Sequence, residues 1–329
     1  MKILFLMMII SFAAVAQQSN TDKLNVVGNI QRLAFGSCNK QYNDQPLWKD
    51  LIVQAPDLFI WGGDNVYANT KVPADILKTY HQQNQIEDYK FFKALTPIIG
   101  TWDDHDYGTN NGTGRYPIKK QSQKYALDFY EEPQMSPRRL REGIYTSYDF
   151  GDAGKKIKII MLDNRYFKGL ETGSEMLGAK QWQWLENEVK NSDASLHLVI
   201  SGLSIISPSA PGSEEWNDHP LERKRLRKIF ESKKTPYLYM TGDKHFSSVF
   251  QREGEYEFMA SGMTHNTRLP LRPYVIARYP DPVFDFNYGL IDFSWEKSTP
   301  ILSVSIRTVN AQNFHLKKLK WVTSGWKEI

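Results

Sequence analysis

Apolar and polar positions along this chain repeat as a unit: a short apolar run, a loop rich in Gly, Asp or Asn, then a stretch with apolar residues at helical spacing. Residues 31–35 lead into Gly36-Ser-Cys-Asn39, 57–61 into Gly62-Gly-Asp-Asn-Val-Tyr67, and 96–102 into Asp103-Asp-His-Asp-Tyr107. Residues 156–162 lead into Asp163-Asn-Arg165, 197–200 into Ser201-Gly202, and 237–240 into Thr241-Gly-Asp-Lys-His245. The stretches 45–54, 121–131, 178–191 and 221–232 carry the helical period. This alternation predicts an α/β fold, in which ligands collect where loops leave the carboxyl ends of strands. Beyond the last of these units, 256–262, 289–295 and 301–309 alternate without helices between them, which predicts antiparallel strands completing a second sheet. Residues 265–287, rich in Pro, Arg and aromatic residues, read as a long loop of the kind that forms functional rims.

Composition narrows this picture only slightly. With 329 residues, 41% hydrophobic and 24% charged, the chain has the profile of a soluble globular protein able to bury a sizeable core. A formal charge of +4 spread along the sequence makes no basic stripe, and no stable nucleic-acid partner is expected. The N-terminus adds more. Lys2, the apolar run Ile3 to Ala14 and the small residues of Ala14-Val15-Ala16 read as a signal peptide over 1–16. A single mature domain, 17–329, without a transmembrane segment and exported to the periplasm or the extracellular medium, is the expectation. Cys38 is the sole cysteine, so no internal disulfide is expected.

The strand-end residues are of two chemical kinds. Cys38, Tyr67 and His245 suit a trivalent or transition metal, whereas Asp104 and Asp243 suit a harder ion. Asp64 has two oxygens and could join two ions, an arrangement that clamps a phosphoryl group and activates water for in-line attack. Each residue alone has an ordinary explanation. Asp64 after Gly62-Gly63 could be a turn aspartate, Asp103, Asp104 and Asp106 a solvated acidic turn, and His245 a plain polar histidine. Their recurrence at successive strand ends favours the site.

Read as an ordered set, Phe35-Gly-Ser-Cys-Asn-Lys40, residues 56–67, Trp102-Asp-Asp-His-Asp-Tyr-Gly108, Leu162-Asp-Asn-Arg165, Gln181-Trp-Gln-Trp-Leu185, Gly242-Asp-Lys-His245 and Ser261-Gly-Met-Thr-His265 resemble the PhoD-like alkaline phosphatases, within the calcineurin-like metallophosphoesterases. The resemblance implies a two-sheet α/β/β/α sandwich and a centre of iron (Fe3+) and calcium (Ca2+). It makes Cys38, Asp64, Tyr67 and His245 the iron ligands, and Asp64, Asp104 and Asp243 the calcium ligands. It gives His105 a role in substrate contact or proton transfer, Arg165 a phosphate contact, and His265 and Asn110 places in the pocket. It implies hydrolysis of phosphate monoesters or diesters by metal-activated hydroxide, with Asp64 holding the metals together. The alternatives are a phospholipase- or nuclease-like diesterase, with Arg268, Arg272 and Arg278 gripping a second phosphate, and a non-catalytic surface-binding protein on a retired esterase fold. The chain departs from the pattern at Ser204, where relatives often carry Gln and the wider superfamily a ligand His, at Asn69 and Asn111 in place of Asp, and at Ser248 in place of Glu.

Overall fold

The computed structural model describes residues 18–171, 173–209, 214–267, 269–309, 313–323 and 325–329. The expected signal peptide, 1–16, and Arg268 lie outside the described residues. In chain order the first half forms α1 (Asn20–Val26), β1 (Arg32–Gly36), α2 (Leu47–Gln54), β2 (Leu58–Gly62), α3 (Pro73–Gln85), α4 (Glu87–Leu95), β3 (Ile98–Thr101), α5 (Asp104–Tyr107), α6 (Lys119–Phe129), α7 (Pro137–Leu140), β4 (Thr146–Phe150) and β5 (Ile157–Met161). The second half forms α8 (Gly178–Asn191), β6 (Leu196–Ser201), α9 (Pro220–Lys233), β7 (Tyr237–Thr241), β8 (Ser247–Arg252), β9 (Glu255–Ala260), α10 (Arg272–Ile276), β10 (Asn287–Glu296), β11 (Thr299–Thr308), β12 (Asn313–Val322) and β13 (Gly325–Glu328).

Two mixed sheets pack face to face, one ordered β13-β12-β11-β10-β1-β2-β3 and the other β4-β5-β6-β7-β9-β8. The apolar runs are continuous because their strands are covered on both faces. Leu33, Phe35, Leu58 and Ile60 meet Ile159, Met161, Leu198 and Ile200 between the sheets. The alternate residues Ala34, Phe59 and Trp61 point outward, beneath Trp48 of α2 and Tyr89 and Phe92 of α4. On the far side Ile160, Val199 and Tyr239 lie beneath Trp182 and Leu185 of α8 and Phe230 of α9. The period-two alternation of strand side chains thus feeds two apolar layers at once, giving the α/β/β/α order.

The C-terminal strands divide differently from the expectation. Residues 289–295 and 301–309 fall in β10 and β11, which extend the first sheet: β10 pairs antiparallel with β1, Leu33 opposite Ile291. Only β9 joins the second sheet, parallel to β7 and antiparallel to β8. Alternation identifies a strand but not its partner, and the segment 265–287 is long enough to carry the chain from one sheet to the other. Helices α3 and α4 and strands β4, β8, β12 and β13 are additions to the sequence reading.

Strands β1, β2 and β3 are mutually parallel, as are β5, β6 and β7. Hydrogen bonds tie the carboxyl ends of the two sets together. Thr101 Oγ1 donates to the Leu162 carbonyl at 2.8 Å, Trp102 Nε1 to Asp163 Oδ1 at 2.9 Å, and Met263 N to the Ser37 carbonyl at 3.1 Å. Among the described residues no helix is long and apolar enough to cross a membrane.

Candidate metal centre

Four strand-end residues adopt the left-handed backbone conformation although none is glycine: Cys38 (φ 59°), Asp64 (φ 52°), Asp243 (φ 70°) and His245 (φ 61°). Each such residue costs about 1–2 kcal/mol relative to an ordinary conformation, so the surroundings must enforce it. They do so by backbone bonds between loops. Asn39 N donates to the Asp64 carbonyl at 2.8 Å, and Gly242 N to the Gly202 carbonyl at 3.1 Å. Before Asp64, Gly63 (φ 105°) passes so close to the neighbouring loop that a Cβ there would meet the Asp103 Cβ at 2.8 Å. The turns fold the side chains back over the strand ends.

There the Asp64 carboxylate stands between two groups of donors. Its Oδ2 accepts from Tyr67 Oη at 3.1 Å and from Cys38 Sγ at 3.6 Å. Tyr67 Oη lies 3.3 Å from His245 Nε2, and ligand atoms of Cys38, Asp64 and His245 all fall within 4.8 Å of one another. The same holds for Asp64, Asp104 and His105, and again for Asp103, Asp104 and Asp243. Asp64 Oδ1 accepts from His105 N at 3.2 Å, and Asp104 Oδ2 from Asn111 N at 2.6 Å.

The electrostatics are those of a site short of positive charge. Burial, with the Asp104 and Asp103 charges added, raises the Asp64 carboxyl well above the usual range. Burial also raises Asp243, next to Asp103, and pushes Asp103 up to about 6. The Cys38 thiol and Tyr67 phenol rise for the same reason, the Asp64 charge adding to burial. Asp103 Oδ2 and Asp104 Oδ1 are buried without a hydrogen-bond partner among the described residues. Buried carboxylate oxygens with no donor are costly unless a cation meets them. The donor set fits metal ions: thiolate, phenolate and imidazole on one side of Asp64, mainly carboxylates with His105 beside them on the other.

Residues 33–267 match the PhoD-like phosphatase family. The chain belongs to that family. It is a hydrolase of phosphoester bonds, and a metal-dependent one. Among solved structures, PhoD superposes with a TM-score of 0.70 at 16% identity, covering 92% of this chain and 72% of that one. A dimetal phosphatase from Danio rerio gives 0.59 at 10% identity, covering 90% of this chain and all of its own. A purple acid phosphatase from yellow lupin (Lupinus luteus) seeds gives 0.57 at 15%, covering 87% of this chain and 53% of its own. At these identities the superpositions show a shared fold. A search of the curated proteins finds no match.

In this member of the PhoD-like family the residues anticipated from sequence gather around one cleft of about 660 Å³, lined by Tyr67, Asp104, His105, Asn110, Asp243 and His245 among others. His265 also lines it, but its Nδ1 lies 2.9 Å from Tyr67 Oη and its ring stacks on His245 at 3.6 Å. His105 stacks on Tyr67 at 4.0 Å and donates through Nδ1 to Asn69 Oδ1 at 2.7 Å. Burial lowers the His105 pKa.

Arg165, expected as a phosphate contact, keeps Nη2 buried without a hydrogen-bond partner among the described residues. It is wholly buried, with Nε donating to Asp103 Oδ1 at 2.6 Å and Nη1 to Glu214. Flanking carboxylates draw the guanidinium beneath the site, where it steadies Asp103. Lys40, which sequence reasoning passed over, lines the cleft instead, its ammonium 5.5 Å from the centre of the Tyr67 ring. Asp103 was also missed as a member of the third cluster. Three acids in four residues gave no signal of which one turns inward, whereas the structure shows Asp106 bracing the turn through Asp103 N and Asn65 N, at 2.7 and 3.1 Å. Arg272 and Arg278 are stacked on Phe284 and Tyr274. Ser204 Oγ is buried and has no partner among the described residues, and Ser248 Oγ donates to the Pro280 carbonyl at 2.6 Å.

Proposed function

We propose that this chain is an exported phosphatase in which Cys38, Asp64, Tyr67 and His245 hold ferric iron, and Asp64, Asp104 and Asp243 hold calcium, for hydrolysis of phosphate monoesters or diesters. The observation that carries this reading is the sharing of Asp64 between a cluster with Cys38 and His245 and a cluster with Asp104 and His105, the latter joined through Asp104 to Asp103 and Asp243. Bound ions supply Lewis-acid charge to the phosphoryl oxygens and lower the pKa of water. The chain's own residues do the rest. Asp64 fixes the spacing of the two groups. Asn69 Oδ1 accepts a hydrogen bond from His105 Nδ1, so that His105, once protonated, presents its Nε2 proton to the leaving oxygen. Lys40 offers the charge on the cleft wall that the sequence reading assigned to Arg165. Asn111 N holds Asp104 in place, and Asn110 lines the entrance. His265 steadies Tyr67 Oη. Ser204 leaves the harder site one side-chain ligand short of the wider superfamily, which favours water in that position.

Residues 1–16 support export to the periplasm or medium, and the return of β10 through β13 to the sheet that holds β1 to β3 supports one domain over 17–329. Elemental analysis of the purified mature protein, paired with aryl monoester and bis-aryl diester substrates, tests the reading. Iron and calcium with turnover are expected. Full activity in protein free of iron overturns the iron assignment, and stoichiometric metal without turnover on either ester class overturns catalysis.

A further inference from the structure

The cleft is lined by two unlike kinds of surface. The loops after β3 and β7 contribute Asp104, His105, Asn110 and Asp243, whereas the segment 269–276 contributes Leu271, Tyr274 and Val275. That segment is apolar on its outer side as well. Val275 is buried against Phe246 and Met259, yet Leu269, Leu271 and Ile276 are 72%, 54% and 60% exposed. Tyr42, which also lines the cleft, is 65% exposed. The segment is anchored. Thr267 N donates to the His245 carbonyl at 2.7 Å and Tyr274 Oη to the Ser209 carbonyl at 3.0 Å. An apolar lip held this firmly beside a polar site marks a place where carbon leaves water.

We propose that this lip binds an alkyl or aryl group on the leaving side of the phosphoester, so that the substrates are esters of apolar alcohols rather than of sugars or glycerol. This rests on the phosphoesterase reading above. The lip is continuous with the cleft that holds the metal ligands, and about 660 Å³ is the volume of a whole organic ligand, far more than a phosphoryl group fills. Tyr274 Oη is already bonded to the Ser209 carbonyl, and the Arg278 guanidinium lies over the Tyr274 ring at 3.6 Å. Leu271 and Val275 offer a sugar hydroxyl no side-chain hydrogen bond.

The test is calorimetric binding of n-alkylphosphonates, ethyl to octyl, to the metal-loaded protein. These compounds are not hydrolysed, and their head group is constant, so only the chain varies. The Kd should fall about three- to fourfold per methylene until the lip is covered. In Leu271→Asp and in Tyr42→Ser the dependence on chain length should flatten. Affinity independent of chain length in the parent, or a dependence unchanged in both variants, overturns the proposal. So does sedimentation with phosphatidylcholine vesicles while the phosphonate series stays flat, which would make the lip a membrane-facing surface. Chain-dependent binding without turnover of any ester supports the lip and refutes the phosphoesterase reading instead.

Discussion

Glu257 and Asp104 are both carboxylates sealed inside the protein, and they are buried in opposite ways. Glu257 is fully provided for: Oε2 accepts from Ile205 N, Ile206 N and Ser207 N at 3.0, 2.6 and 3.0 Å, and Oε1 accepts from Thr241 Oγ1 at 2.7 Å. It holds the loop after β6 to β9 and β7. Asp104 shares its surroundings with Asp64, Asp103 and Asp243, and one of its oxygens has no donor among the described residues. Burial raises the pKa of Glu257 as it does that of Asp64, while for Asp104 burial is outweighed by the Arg165 and His105 charges and the Asn111 N–H and the pKa falls, so a shifted pKa alone does not mark the site. What separates them is the balance of donors. A buried carboxylate met by N–H and O–H groups belongs to the fold, and one crowded by other carboxylates is arranged for a cation.

The widest test of this contrast is activity. Asp64→Ala should lower kcat/KM by more than about 10³-fold, because the charge stabilisation supplied by both ions depends on the shared carboxylate. Metal content measured on the same sample should fall with it. Normal activity would break the assignment of Asp64 as the joining residue. Stability should respond with opposite signs in the two regions. Glu257→Ala strands three buried backbone N–H groups and should cost about 3–5 kcal/mol by urea unfolding. Asp64→Asn relieves repulsion and should stabilise the metal-free protein by about 1–2 kcal/mol while abolishing turnover. Destabilisation by both would erase the distinction.

The two regions also differed in how far the sequence disclosed them. The strand-end cluster was legible because each of its residues follows an apolar run that reads as a buried strand, which sets Cys38, Asp64, Asp104 and His245 at the same edge. The role of Arg165 was not. A fork-shaped cation beside a phosphate site reads as a substrate contact, and nothing local in the sequence shows that its Nε and Nη1 go to Asp103 and Glu214. Glu257 gave no sign at all, since a Glu alternating with Glu255 along a strand does not reveal the backbone of another loop. Likewise β10 and β11 were recognised as strands, but pairing with β1 depends on a partner more than 250 residues away, as Leu33 with Ile291. Local pattern carries side-chain direction, and it does not carry the identity of what lies opposite.

A smaller effect follows from pH. Asp64, Asp103 and Asp243 have pKa values raised on folding, with Asp103 at about 6. Carboxyls raised in this way favour the folded state while protonated. Their contribution is complete below the unfolded value of about 4 and is lost as pH rises through the folded values. Glu257 is raised too, but its partners do not depend on metal. The metal-free protein should therefore lose stability between about pH 4 and 7 relative to the metal-loaded protein, by about 2–3 kcal/mol from the Asp103 shift alone. Thermal melts with and without chelator across that range measure the difference, and parallel curves would show that the carboxylate cluster is not where the ions bind.

The smallest expected effect asks whether support by a neighbouring side chain, which defines Glu257's surroundings, also operates inside the metal centre. His265 Nδ1 lies 2.9 Å from Tyr67 Oη, and its ring rests on His245. If Tyr67 binds ferric iron as a phenolate, the protein has a visible charge-transfer band, and a hydrogen bond from His265 draws electron density from the oxygen that donates it. His265→Phe keeps an aromatic ring against His245 and removes the donor, so the band should move to longer wavelength, with activity lower by about tenfold. His265→Gln, which restores a donor, should return the band toward its original position. A coloured parent whose band does not move in His265→Phe would separate His265 from Tyr67. A colourless but active parent would remove iron from Tyr67 altogether and leave the strand-end cluster to another metal.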